Sequence, residues 1–112
     1  MPRNGLDPQL WSHVHAASVY ALVAVTAAVL WLARRTALRG PAALVLGVEL
    51  AQGAVGLVQY WTGLPIGLVA VHLVGAGALV ASATWLAAAA RRPEPADAPA
   101  AKQRAEPAPV DA

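Results

Sequence analysis

Apolar residues fill three long blocks of this chain, 10–33, 41–62 and 64–90, and the charged residues lie almost entirely between and beyond them. A helix rising 1.5 Å per residue needs roughly 20 residues to cross a hydrocarbon core about 30 Å thick, and every block meets that length. Because the charges cluster at block ends rather than along one side, the pattern does not read as amphipathic helices around a water-soluble core. It predicts an all-α membrane protein of three transmembrane helices. Only Arg3 precedes the first block, Asp7 opposes it, and the apolar run is longer than a signal peptide's hydrophobic region, so a retained helix is expected.

Arg34, Arg35 and Arg39 fall in the first connection and Arg91 and Arg92 follow the third block, whereas the turn around Gly63, Leu64 and Pro65 has no basic residue. The positive-inside bias then places the arginine loop and the C-terminal tail in the cytoplasm and residues 1–9 outside, in a multi-pass plasma membrane protein. Gly40 and Pro41 are expected to separate the first two helices, and the segment from Thr62 to Pro65 the second and third. Trp11, Trp31, Tyr60 and Trp61 sit near block ends, where amphipathic rings anchor at the interface. From Arg91 the chain turns to proline, alanine and charge, and 91–112 reads as a disordered tail with too little apolar surface to offset chain entropy.

Composition narrows the chemistry. The chain is 58% hydrophobic and 12% charged with no cysteine, which excludes disulfides, thiolate metal sites and thioether-linked haem. Its formal charge of +2 lies at the membrane borders and reads as a topology signal, not as a nucleic-acid surface. There is no Ser/His/Asp order, phosphate-cradling glycine loop, zinc-binding HExxH helix or paired carboxylate.

What remains is three histidines in apolar surroundings: His13 and His15 near the outer end of helix 1, and His72 near the outer end of helix 3. His15 and His72 each lie about 10 Å along their helices from the same border. Two neutral imidazoles at one depth are the axial donors that a six-coordinate b-type haem requires. His13 and His15 are about 200° apart around a helix, so only one of them can share a site with His72. Periodicity does not choose: the His15 face continues through Val19, Leu22 and Thr26, the His13 face through Ala17, Tyr20 and Ala24. The blander reading leaves every histidine in the interface or bonded to a backbone carbonyl.

Helix 2 gathers Glu49, Gln52, Gly53, Gly56 and Gln59 on one face, which is expected to point inward. Glu49 is an intramembrane carboxylate, suited either to proton handling or to hydrogen-bonded packing. Gly75 and Gly77 follow His72 and suit the close approach of a neighbouring helix or of a flat macrocycle.

Three segments carry a resemblance. They are Trp-Ser-His-Val-His-Ala-Ala-Ser from Trp11, Leu-Ala-Gln-Gly-Ala-Val-Gly-Leu-Val-Gln-Tyr-Trp-Thr-Gly-Leu-Pro from Leu50, and Leu-Val-Ala-Val-His-Leu-Val-Gly-Ala from Leu68. Together they resemble the haem A synthase family, specifically the last three of eight membrane helices in actinobacterial-type members, over roughly residues 9 to 90. Members oxidise a methyl group of haem O to a formyl group, giving haem A for cytochrome oxidase. The resemblance implies that haem b is held between His15, in its His-Ala-Ala context, and His72, with these two as the iron's axial ligands. The segments have no counterpart of the family's N-terminal half, where the substrate-haem histidines, catalytic glutamate and cysteine pair lie, nor of the helix that precedes His15.

The resulting expectation is an incomplete four-helix haem-binding bundle. It would be a partial or split haem A synthase-like protein serving haem A biosynthesis and cytochrome oxidase assembly, with no catalytic residue of its own. Membrane lipid, a completing chain or a second copy, and oxidase assembly factors are the implied partners, and nucleic acid is not. The competing expectation is a haem-free membrane subunit that packs through its Gly/Ala faces.

Overall fold

The structure is a computed structural model that describes residues 5–93 and Val110. The described residues form three helices, α1 (Pro8–Ala33), α2 (Arg39–Trp61) and α3 (Ile66–Ala90). All three are long and apolar enough to cross a membrane. The expectations for residues 1–4 and for most of the tail, 94–109 and 111–112, lie outside the described residues.

The helix ends follow from local chemistry and depart from the sequence reading by a few residues. Asp7 caps α1, its Oδ1 accepting from the Gln9 amide at 3.0 Å, while Pro8 takes a first-turn position where its missing N–H is no loss. Gly40 and Pro41 do not separate the first two helices; both lie inside the first turn of α2. The break is made by residues 34–38 around Thr36, whose hydroxyl donates to the Ala33 carbonyl at 2.9 Å and accepts from the Leu38 amide at 3.2 Å. At the other end Gly63 and Leu64 adopt φ of +77° and +60°, and the Leu64 amide donates back to the Gln59 carbonyl at 2.9 Å. That left-handed pair stops α2, and α3 begins after Pro65 rather than at Leu64.

Short connections make the order up-down-up, so Ala33, Arg39 and Ala90 share one end of the bundle and Pro8, Trp61 and Ile66 the other. α2 is the central element, packing on α3 most extensively and on α1 next, while no Cα of α1 comes within 8 Å of one in α3. Few side chains are buried: Ala33, Ala42 and Val45 among the apolar ones, and Thr26, Glu49 and Ser82 among the polar. Large apolar side chains point outward instead, as with Ile66, Leu32 and Val74. A water-soluble protein does not expose apolar area on this scale, whereas a bilayer solvates it. The hydroxyls of Ser12, Ser18, Thr62 and Thr84 donate to the carbonyl four residues earlier, which satisfies them without water.

Candidate functional site

The site is assembled at the end of the bundle opposite the arginines. His15 lies in the second turn of α1 and His72 in the second turn of α3, and their ring centres are 6.5 Å apart with planes at 82°. Of the two histidines on α1, His15 is the one brought to His72. The pair bridges two helices whose backbones otherwise keep apart.

α2 supplies the seat for His72. The Gln52 side-chain amide donates to the His72 carbonyl at 2.8 Å, across the seam between the helices. Gly56 lies against the ring, and a Cβ added there would sit 3.4 Å from His72 Cε1. Gly75, one turn beyond His72, leaves the space that the Gln52 amide fills, and a Cβ at that position would overlap it. His72 Nδ1 is buried without a hydrogen-bond partner, and His15 is exposed along its helix. The reading in which these rings are tied to backbone carbonyls therefore has no bond in its favour among the described residues.

Two imidazoles bound to one metal from opposite sides, each through a bond of about 2 Å and with its ring centre about 1 Å beyond the nitrogen, have centres about 6 Å apart. The observed separation fits that requirement, and rotation of the rings about a shared axis is free, so near-perpendicular planes fit it as well. A bare ion is poorly served, since the described residues include no group of three or more His, Cys, Asp or Glu side chains suited to a metal. Two protein donors suit a metal that brings its remaining ligands with it, as a porphyrin does.

Deeper in the bundle Thr26 Oγ1 donates to Glu49 Oε1 at 2.7 Å, both residues being buried, while Glu49 Oε2 has no partner. The polar face of α2 does point inward at Glu49, Gln52, Gly56 and Gln59, but Gly53 is exposed, and a Cβ added there would meet nothing within 4 Å. Sequence reasoning set Thr26 on the same face of helix 1 as His15 without finding its partner. Their shared face was the available signal, since Glu49 needs a donor from a neighbouring helix. The Gln52 bond to a backbone carbonyl of α3 had no sequence signal, because a carbonyl exists at every residue.

No family model matches the chain, nor does any curated protein or solved structure. Fold and site together define a multi-pass membrane protein whose described residues form three helices, with a histidine pair between the first and the third.

Proposed function

We propose that this chain is a membrane haem-binding unit in which His15 and His72 hold a b-type haem as its two axial ligands. The observation that carries the reading is the 6.5 Å separation of two imidazoles offered from different helices. When bound between two imidazoles, haem iron exchanges single electrons and keeps no open position for oxygen. What the chain contributes is the seat: Gln52 fixes the backbone at His72, Gly56 gives the ring room, and the apolar helices exclude water.

The proposal extends to the cellular role through the three segments that resemble haem A synthases. On that reading the chain serves haem A biosynthesis as a cofactor-holding part of such a synthase. Axial ligation by two imidazoles leaves the iron no open position, so the proposed role is structural or electron-transferring. The arginines set its orientation, with the N-terminus outside and the arginine end cytoplasmic.

The test is the reduced-minus-oxidised optical spectrum of the detergent-purified protein beside His15→Ala, His72→Ala and His13→Ala variants. A low-spin b-type spectrum that is lost in the first two and kept in the third is the expected result. A protein that stays haem-free even when expressed with ample haem would leave only the packing subunit.

A further inference from the structure

The opposite end of the bundle holds a concave feature that the histidine site does not explain. Arg34, Arg35 and Arg39 line one open hollow of about 650 Å³ between the end of α1 and the start of α2. No acidic side chain lines it. Arg34 is already oriented: its Nη1 donates to the Trp31 carbonyl at 2.7 Å, and its guanidinium carbon lies 4.1 Å over the Trp31 ring. The start of α2 has no side-chain cap, so the positive end of that helix adds to the field of the three arginines. Below this rim the walls become apolar, formed by Ala27 and Leu30 of α1 and by Ala43 and Leu46 of α2. These residues reach about 10 Å deeper along the helices, toward the membrane interior.

We infer that this hollow binds an anionic phospholipid. Its polarity changes with depth as a phospholipid's does: fixed positive charge at the membrane border, where a phosphodiester lies, and apolar side chains beneath, where an acyl chain runs. Guanidinium groups suit the phosphate because they donate in a planar fork and stay charged at any accessible pH. Basic pockets between membrane helices at a border are sites for such headgroups. Arg35 and Arg39 hold the phosphate, Arg34 and Trp31 form the wall beside it, and the Ala43 side of α2 takes the chain.

The experiment is native mass spectrometry of the full chain in detergent, titrated with phosphatidylglycerol or with phosphatidylcholine of the same acyl composition. Phosphatidylglycerol is expected to be retained over phosphatidylcholine. An Arg35→Gln/Arg39→Gln variant should weaken its binding about 25-fold, since each arginine at a membrane surface contributes about a factor of five. An Arg91→Gln/Arg92→Gln variant removes the same charge from the same end of the bundle and should leave binding unchanged. Ala43→Trp keeps every charge but fills the hollow, and should weaken retention. Equal retention of the two lipids, equal losses from the two arginine pairs, or undiminished binding by Ala43→Trp would each overturn the site. Competition by glycerol phosphate at equal concentration would overturn it as well, since a headgroup alone would then suffice.

Discussion

The two seams of α2 are built on different principles. Against α3 the contact depends on missing side chains: Gly75 opens the space for the Gln52 amide, Gly56 the space for the His72 ring, and the bond across the seam ends on a backbone carbonyl. Against α1 it depends on a side-chain pair, Thr26 to Glu49, in a patch where Ala33, Ala42 and Val45 are buried. Lipid offers no hydrophobic drive for helices to associate, so close packing and interhelical hydrogen bonds have to do it; each seam of α2 has one such bond, ending on a backbone carbonyl at α3 and joining two side chains at α1. The consequence reaches the histidines. His72 is seated by α2 from two directions, whereas exposed His15 is positioned by its own helix alone. One partner of the pair is pre-organised and the other free to adjust, and on the proposed function the adjustable one is His15.

The sharpest way to break the glycine seam is at Gly75. Leucine there has no room beside Gln52 and is expected to separate α2 from α3, abolishing the helix pair and any haem bound at His72. Alanine is the graded case. It overlaps the end of the Gln52 side chain, which has to swing aside and give up its bond to the His72 carbonyl, a loss of about 0.6 kcal/mol and at most about 1.7 kcal/mol, offset by up to about 1 kcal/mol from alanine's better helix propensity. Gln52→Ala should remove that penalty, so a double-mutant cycle read by unfolding in mixed micelles is expected to show coupling of about 0.6 kcal/mol and at most about 1.7 kcal/mol. Independent effects at the two positions would mean that the overlap is not what sets the seam.

The side-chain seam should yield less. Thr26→Val removes the donor to Glu49 and is expected to cost about 0.6 kcal/mol and at most about 1.7 kcal/mol, the range for interhelical hydrogen bonds inside membranes. Thr26→Ser keeps a hydroxyl and should recover most of the loss in the same unfolding measurement. If valine were silent, packing around Ala33, Ala42 and Val45 would suffice to hold α1.

At the ring itself the effect is smaller again. Gly56→Ala places a methyl group 3.4 Å from His72 Cε1, near ordinary van der Waals contact, and should change stability by less than about 1 kcal/mol. Gly56→Leu has no such room and is expected to turn the imidazole. On the proposed function, the low-spin spectrum then survives alanine and is lost with leucine.

What the sequence could convey follows from how each feature is encoded. Three helices were legible because bilayer thickness demands a run of apolar residues whatever the neighbours are. The arginine asymmetry was legible for a similar reason, being a property of loops alone. Helix boundaries were less so: Gly40 and Pro41 read as a break, yet proline suits the first turn of α2, and the break belongs to Thr36 and its local hydrogen bonds. Periodicity could not choose between His13 and His15, because that depends on how α1 is rotated against α2 and thus on Thr26 finding Glu49. The arginine hollow was hidden altogether, since two helix ends must meet before three loop arginines share a space.

The smallest expected effect tests whether position or composition makes glycine important in α3. Gly77 lies two residues from Gly75 and so about 200° around the helix, away from α2. A Cβ there meets nothing within 4 Å. Helix-interior glycine is less favourable than alanine by roughly 0.5–1 kcal/mol, so Gly77→Ala should leave the detergent-purified chain as stable as before or more stable by that amount. Side by side in one unfolding experiment, Gly75→Ala should then be the less stable of the two. Were Gly77→Ala destabilising, another helix would have to lie against that face in the purified protein, and the up-down-up trio would be only part of the folded unit. Its loss would then depend on protein concentration in the micelle if that helix came from a second copy, since dilution separates subunits but not helices of one chain.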